Sequence, residues 1–462
     1  MPSNFKEGIT LKSIPDKTAV FETVPVRQAV RMQIVPAIAS QMIALIYNLA
    51  DTYFVGMLNQ PDQTAAVTAA YSSFVMLTAI SNLFGVGGAS ALSRALGKKD
   101  REGAKRIAAV SFWGGLICAV LFSAVFFLLS RPILTLCGAT PAIFDIAFGY
   151  ALWVVVIGGP GTILNTLLAN LVRAEGSASI AAIGVSMGGI LNIILDPFFV
   201  LPQFLGMGAV GAGIATALSN LAATLYFIIY IIIKRDTSVV NIAPSRLHYT
   251  GLYIKTILSI GFPSAIQYAL TVVAIAAQSR FVSLYTTEAM AALGIVKKLD
   301  QLPLYFSIGV ANGLLPILAY NYSAGNQKRR REIFRFGCTI SLAFALLCLV
   351  VYEIFAPQLA SLFIADPETI RYSAGFLRRM VTAMPMMSVC YPMIIQFQAM
   401  GKFKESLVCS VLRKGVIDIP LLFFMNALFG LYGCMWVQPI VDATSLVVAI
   451  IFYRRINCIE KV

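Results

Sequence analysis

The sequence predicts an all-α integral membrane protein of about twelve transmembrane helices, arranged as two pseudo-symmetric six-helix lobes. Three observations carry that prediction. The chain has too few charges to cover a water-facing surface. It contains twelve long apolar runs, and four short motifs recur in the same order in its second half.

Of 462 residues, 58% are hydrophobic and 12% are charged, against about 25% charged in a soluble globular chain. Most of the surface must therefore face lipid. A spanning helix needs ~20 apolar residues, and only helices or closed barrels satisfy the backbone in hydrocarbon. The apolar runs are far too long for the alternating strands of a barrel. The net charge of +14 sits in short clusters between apolar runs, with no basic domain of interleaved aromatics, so nucleic acid is not an expected partner.

The elements follow in order. Residues 1–30 hold Lys6, Glu7, Lys12, Asp16, Lys17 and Glu22 and lack the apolar stretch of a signal peptide, so they read as a cytoplasmic tail. Apolar runs at 31–57, 64–94, 107–129, 143–172, 179–201 and 209–233 make a first lobe, 31–233. A polar connector over 234–250, with Asn241, Pro244, Ser245 and the sole histidine, His248, suits a cytoplasmic linker. Runs at 252–284, 289–322, 333–356, 370–398, 405–427 and 431–453 make a second lobe, 251–455, and 456–462 form a second cytoplasmic tail.

Basic residues alternate with the loops. The first tail has Arg27 and Arg31 besides its lysines; the second loop has Arg94, Lys98, Lys99, Arg101, Lys105 and Arg106; the eighth has Lys328 to Arg331 and Arg335; the C-terminus has Arg454, Arg455 and Lys461. The odd loops are nearly bare, with Arg131 and Arg371 as the main exceptions. Lys and Arg stay on the cytoplasmic side, so both termini are placed there and the helix count is even.

The repeat is visible in the letters. PAIASQMIALIYNLADTYFV from Pro36 aligns with PSAIQYALTVVAIAAQSRFV from Pro263, which pairs Asp51 with Gln278. Gly85, Ala174 and Gly208 begin three further segments that resemble those at Gly313, Ala399 and Gly430. Six helices per half leaves the halves in one orientation, related by an axis along the membrane normal, with binding sites expected between them.

Carboxylates inside apolar runs are costly and mark functional candidates: Asp51, Asp196, Asp300, Glu353, Asp418 and Asp442. Asn192 precedes Asp196 by four residues and shares its helix face. Thr216 on the next helix offers a hydroxyl. Two carboxylates, an amide and a hydroxyl suit a small hard cation. They equally suit a proton, because two close carboxylates in low dielectric do not both stay ionised cheaply. The bland alternative is a hydrogen-bonded cluster gluing helices together. Pro36 and Pro263 lie inside corresponding helices, as hinges or static kinks. The 18 tyrosines, 30 phenylalanines and 16 methionines would suit a cavity for large apolar cations, although most are expected to face lipid or core. The eight cysteines include no CxxC pair and predict neither disulfides nor zinc.

No GxxxxGK[ST] loop or HExxH is present, so ATP binding by that loop and zinc hydrolysis lack support. No enzyme activity and no cofactor is expected, beyond sodium or a proton as coupling ion.

YNLADTYFVG in the first run, SRALGKKDREGAKR after the second, RAEGSASIA after the fourth and LNIILDPFFV in the fifth resemble the multidrug and toxic compound extrusion (MATE) family. They are most similar to its bacterial branch of MepA-type and DinF-type exporters. The resemblance spans Arg31 to Arg455. It implies a V-shaped antiporter around a central cavity, in a bacterial cytoplasmic membrane, exporting organic cations and other drugs against sodium or protons. It also implies a cation site in the first lobe at Asp51, Asn192 and Asp196, with Thr216 and Tyr150 alongside. An acid that another branch carries in the seventh helix is replaced here by Gln278. Gln278, Lys297 and Asp300 are taken as substrate-cavity residues, and the chain is taken as a monomer. The alternative is a flippase for lipid-linked or polysaccharide precursors, whose basic cavity would have to come from Lys297, Lys298, Arg378, Arg379, Arg413 and Lys414.

Overall fold

The structure, a computed structural model, describes residues 18–247 and 250–459; His248, the first seventeen residues and the last three lie outside it. Among the described residues there are helices and no strands. The spans are α1 (Val26–Gly56), α2 (Pro61–Gly97), α3 (Arg101–Leu128), α4 (Phe144–Ile157 with Gly159–Ala174), α5 (Ala178–Val200), α6 (Gly208–Ile233), α7 (Thr250–Val282), α8 (Thr287–Ser323), α9 (Gln327–Ser361), α10 (Pro367–Ala399), α11 (403–429) and α12 (431–459).

The local signals explain where spans begin. Asp100 accepts from Gly103 N at 2.8 Å ahead of α3, Thr286 from Ala289 N at 3.1 Å ahead of α8, and Asp366 from Thr369 N at 2.8 Å ahead of α10. These side chains satisfy backbone donors that the first helical turn leaves open. Pro61 and Pro367 occupy first-turn positions, where the missing N–H costs nothing.

The count of twelve needs two arguments. α4 bends by 47° between its two segments. Its first segment ends in a π-helical turn over Leu152–Ile157, with Gly158 N donating to Trp153 O at 2.7 Å. It remains one bent span. Conversely, helical structure runs without a loop from 418 to 459, yet Gly430 has φ 59° and ψ −144°. A Cβ on Gly433 would sit 2.1 Å from the Met425 carbonyl oxygen. The chain therefore doubles back there. Arg413 and Asp442 are joined at 2.9 Å, whereas a straight helix would hold them ~43 Å apart. Gly208, at the start of α6, has φ 60°, so corresponding positions of the two halves share a left-handed backbone that favours glycine.

Pro36 and Pro263 lie where the sequence placed them, inside corresponding helices of the two lobes. Both sit inside continuous helices, and the irregular backbone of the described spans falls at Leu152–Ile157, Phe355, Lys414–Gly415 and Gly430.

The lobes meet through α1 with α8 and α2 with α7, pairs that exchange under the pseudo-twofold. A Cβ on Gly261 would lie 1.7 Å from Leu83 O, and one on Gly87 would lie 2.2 Å from Ile257 O. Glycine is what lets α2 and α7 touch. These contacts, and Ser90 Oγ donating to Gln398 O at 2.7 Å, all lie in the half of the bundle that holds both chain ends.

The N-terminal segment and the linker, within the described residues, are more ordered than a tail and a tether. α1 starts at Val26, five residues before the expected boundary. Phe21 just before it is fully buried, its ring 5.2 Å from Tyr320. Arg329 Nε donates to Phe21 O at 2.8 Å, and Glu22 engages both Lys99 of the first lobe and Tyr320 of the second. This strap crosses the junction between lobes. In the linker, Ser238 Oγ and Val239 N donate to the buried Glu175 carboxylate at 2.6 and 3.2 Å, and Trp113 Nε1 donates to Ile242 O at 3.0 Å. The described part of the linker is thus pinned to the first lobe.

Candidate functional site

The first lobe holds a buried acidic cluster between α1, α4, α5 and α6. Gly189 of α5 faces α1, where a Cβ would meet Ile43 Cγ2 at 2.9 Å and Tyr47 Cδ1 at 3.1 Å. The missing side chain allows the close approach that brings Asp51, one turn beyond Tyr47, to Asp196. Asp196 is 0% exposed, and Asn192, Thr216 and Tyr150 are buried with it.

The i, i+4 expectation holds. Asn192 Nδ2 donates to Asp196 Oδ1 at 3.2 Å and reaches Thr216 Oγ1 at 3.4 Å. Asp51 and Asp196 are close enough for their charges to act on one another, and Tyr150 feels both. The structure brings together all five first-lobe residues singled out in the sequence. It adds Tyr47 and Tyr71, which share the same electrostatic neighbourhood. Tyr47 was legible by its four-residue spacing from Asp51; Tyr71, on α2, carried no such signal.

Three acceptor oxygens in this cluster, Asp51 Oδ1, Asn192 Oδ1 and Asp196 Oδ2, are buried without a hydrogen-bond partner. Buried acceptors are rarely left so. No Lys or Arg forms an ion pair with either carboxylate among the described residues. Unpartnered buried acceptors of this kind are groups that a small cation or a proton would engage.

The second lobe is built otherwise. Arg413 Nε donates to Asp442 Oδ1 at 2.9 Å with both side chains buried, and the guanidinium lies 4.0 Å over the Tyr391 ring. Lys414 donates to Gln438 Oε1 at 2.7 Å, and Gln438 Nε2 to Asp442 Oδ2 at 2.7 Å. Asp418 accepts from Gly415 N at 3.0 Å, where the helix is broken. Asp418 and Asp442 are thereby explained by structure. Glu353 lies half-exposed, 3.9 Å from Arg378. Gln278 is buried and donates to Cys434 O at 3.1 Å. It also lines a cavity with Lys297, Lys414, Asp418 and Gln438, and Asp300 stands one turn along α8 from Lys297.

The comparisons with known proteins bear on this arrangement. The MatE family model matches the chain twice, over residues 36–198 and 263–424. This chain belongs to the MatE family. The two matches begin at Pro36 and Pro263, the prolines whose alignment revealed the repeat. The family member is 30% identical over 417 residues to the multidrug export protein MepA of Staphylococcus saprophyticus, covering 90% of this chain and 91% of that one. It is 29% identical over 431 residues to the same-named protein of Staphylococcus aureus, covering 93% and 94%. The resemblance to MepA-type exporters thus extends over almost the full chain. Among solved structures, a MATE crystallised in complex with MaL6 superposes with a TM-score of 0.90 at 24% identity, covering 96% of this chain and 99% of that one. A multidrug resistance MATE family transporter of the MOP superfamily, in its outward-facing conformation, matches with the same values. These two share the fold.

Proposed function

We propose that this MatE member is a secondary active multidrug exporter, working by alternating access and driven by a cation taken up at Asp51 and Asp196. The multidrug-export reading rests on the family and on the two MepA relatives. The coupling site rests on one observation: three buried acceptor oxygens in an acidic cluster that has no cation of its own. A sodium ion entering there would offset one of the two charges and coordinate the orphaned oxygens; a proton would neutralise one carboxylate and turn it into a donor for a neighbouring oxygen. That gain is available to the loaded cluster only, so loading can shift the balance between inward- and outward-open states.

Asn192 and Thr216 orient the site, and Tyr150 closes it from α4. The bulk of the chain lies in the bilayer. The alternating basic loops support a cytoplasmic position for both termini in a bacterial cell, with the sealed half of the lobe junction and its Phe21 strap facing inward. Drugs and organic cations are the expected cargo, carried between the lobes of a single chain. The flippase alternative loses its main support, because Arg413 is committed to Asp442 and Lys414 to Gln438.

The deciding experiment is efflux of a fluorescent organic cation from proteoliposomes, with sodium and proton gradients imposed separately. One of the two gradients alone should drive export. Export equally fast with neither would overturn the coupling, and no export under any gradient would overturn the exporter reading.

A further inference from the structure

The seam between α5 and α6 carries a line of polar groups from the acidic cluster toward the end of the lobe where the linker is pinned. Thr216, Asn220, Ala223, Phe227 and Tyr230 follow one another at helical spacing and share one face of α6. Asp196, Asn192, Gly188 and Gly184 do the same on α5. One turn beyond Thr216, Asn220 Nδ2 donates to the Thr216 carbonyl oxygen at 3.0 Å, and Asn165 Nδ2 of α4 donates to Asn220 Oδ1 at 3.0 Å. Gly188 leaves room beside them: a Cβ there would lie 3.3 Å from Ser219 O and 4.0 Å from Asn165 Nδ2. Along this stretch Asn165 Oδ1, Thr162 Oγ1 and Ser219 Oγ are buried without a hydrogen-bond partner, in side chains 7%, 7% and 2% exposed. One turn further along α5 the polar line stops. The fully buried Phe227 ring fills the notch at Gly184, where a Cβ would sit 2.4 Å from its Cζ. Beyond the ring polar groups resume: Tyr230 Oη donates to Glu175 Oε1 at 3.1 Å, and Ser177 Oγ lies 3.4 Å from Tyr230 Oη.

Polar groups that only glue helices together spend their hydrogen bonds on one another. Here three oxygens stay open, and open oxygens inside a helix bundle are costly. A cation leaving water needs just such a row of ligands. The row begins at Asp196, where a cation is proposed to bind, and is cut from the Glu175 cluster by one aromatic ring. An apolar constriction of this kind holds back ions by excluding water. We propose that this seam is the route by which the coupling cation leaves the acidic cluster for the cytoplasm, with Phe227 as its gate. The cation then travels inside the first lobe while the drug travels between the lobes, so the two cargoes need not pass each other. A swing of the ring off Gly184 would join the open oxygens to the Glu175 cluster. The inference rests on the cation-coupling reading and on the cytoplasmic placing of the linker, and it adds a path to the site.

The test is ion leak in the absence of drug. Proteoliposomes holding the full chain and an entrapped pH-sensitive or sodium-sensitive dye are given a gradient of either ion. The wild type should hold both gradients. Phe227→Ala should leak the coupling ion about tenfold faster, as expected when an apolar gate is trimmed. That ion should still raise the melting temperature of Phe227→Ala as it does the wild type's. Phe227→Leu keeps an apolar plug and should stay tight. Adding Asp196→Asn or Asn220→Leu to Phe227→Ala should return the leak to the wild-type level. Asn220→Leu alone should slow gradient-driven drug export about tenfold. A Phe227→Ala protein that holds its gradients overturns the route, and so does a leak that survives both second changes. Export by Asn220→Leu at the wild-type rate does the same. A wild type whose export follows neither gradient overturns the coupling reading beneath it.

Discussion

The polar interiors of the two lobes differ in how they balance buried charge. The acidic cluster of the first lobe holds two carboxylates with no basic partner among the described residues, and three of its acceptor oxygens are unengaged. The second lobe carries its own counter-charge, with Arg413 locked onto Asp442. Two repeats descended from one pattern thus solve the burial of charge in opposite ways. A closed pair has no need of a mobile ion, whereas an open acidic cluster is stable only when something positive visits it. The asymmetry, more than either cluster alone, is the reason for proposing that the coupling chemistry lies in the first lobe.

The sharpest way to break this comparison is to remove the acids. Asp51→Asn and Asp196→Asn should each abolish gradient-driven export, while yield and chromatographic behaviour in detergent stay near those of the wild type. Gradient-driven export by both variants at wild-type rates would make the cluster structural. The opposite result is expected across the membrane plane. Arg413→Met should destabilise the fold by about 3–5 kcal/mol, because it strands a buried carboxylate. The double change Arg413→Met with Asp442→Leu should recover most of that loss in a thermal unfolding assay. If the single change leaves the melting temperature unmoved, the pair is not the closed unit described here.

Smaller perturbations sharpen the contrast. Gly189→Val should push α1 away from α5 and separate Asp51 from Asp196. The expected readout is about a tenfold weaker stabilisation by the coupling ion, measured as the ion concentration giving a half-maximal shift in melting temperature. Thr216→Ala removes one neutral oxygen and should weaken the same ion response by only a few-fold, on the order of 1 kcal/mol. Equal effects from Thr216→Ala and Asp196→Asn would mean that the ion is held by neutral oxygens instead.

Much of this was legible in the letters. Apolar runs and alternating basic loops gave twelve spans, and the aligned prolines gave the repeat. The face shared by Asn192 and Asp196 follows from helical spacing alone, and the pairing of Asp51 with Gln278 already marked the lobes as unequal. Local chemistry was enough, because in hydrocarbon the backbone has almost no choice but the helix.

Other features belong to the tertiary structure. Arg413 and Asp442 are 29 residues apart, and only the reversal at Gly430 brings them together. Nothing local told Asp442, paired with Arg413, from Asp196, the proposed site residue, since both are acids in apolar runs. Phe21 lay in a segment read as a cytoplasmic tail, and only its docking against Tyr320 reveals a strap. The proximity of Asp51 to Asp196 depends on the absent side chain at Gly189, a contact between helices far apart in the chain. The sequence by itself determined which segments enter the membrane and which residues could carry charge there. Which of those charges are neutralised by the protein, and which are left for a visiting ion or substrate, was decided by packing, because ion pairing in low dielectric depends on ångström-scale distances that composition does not encode.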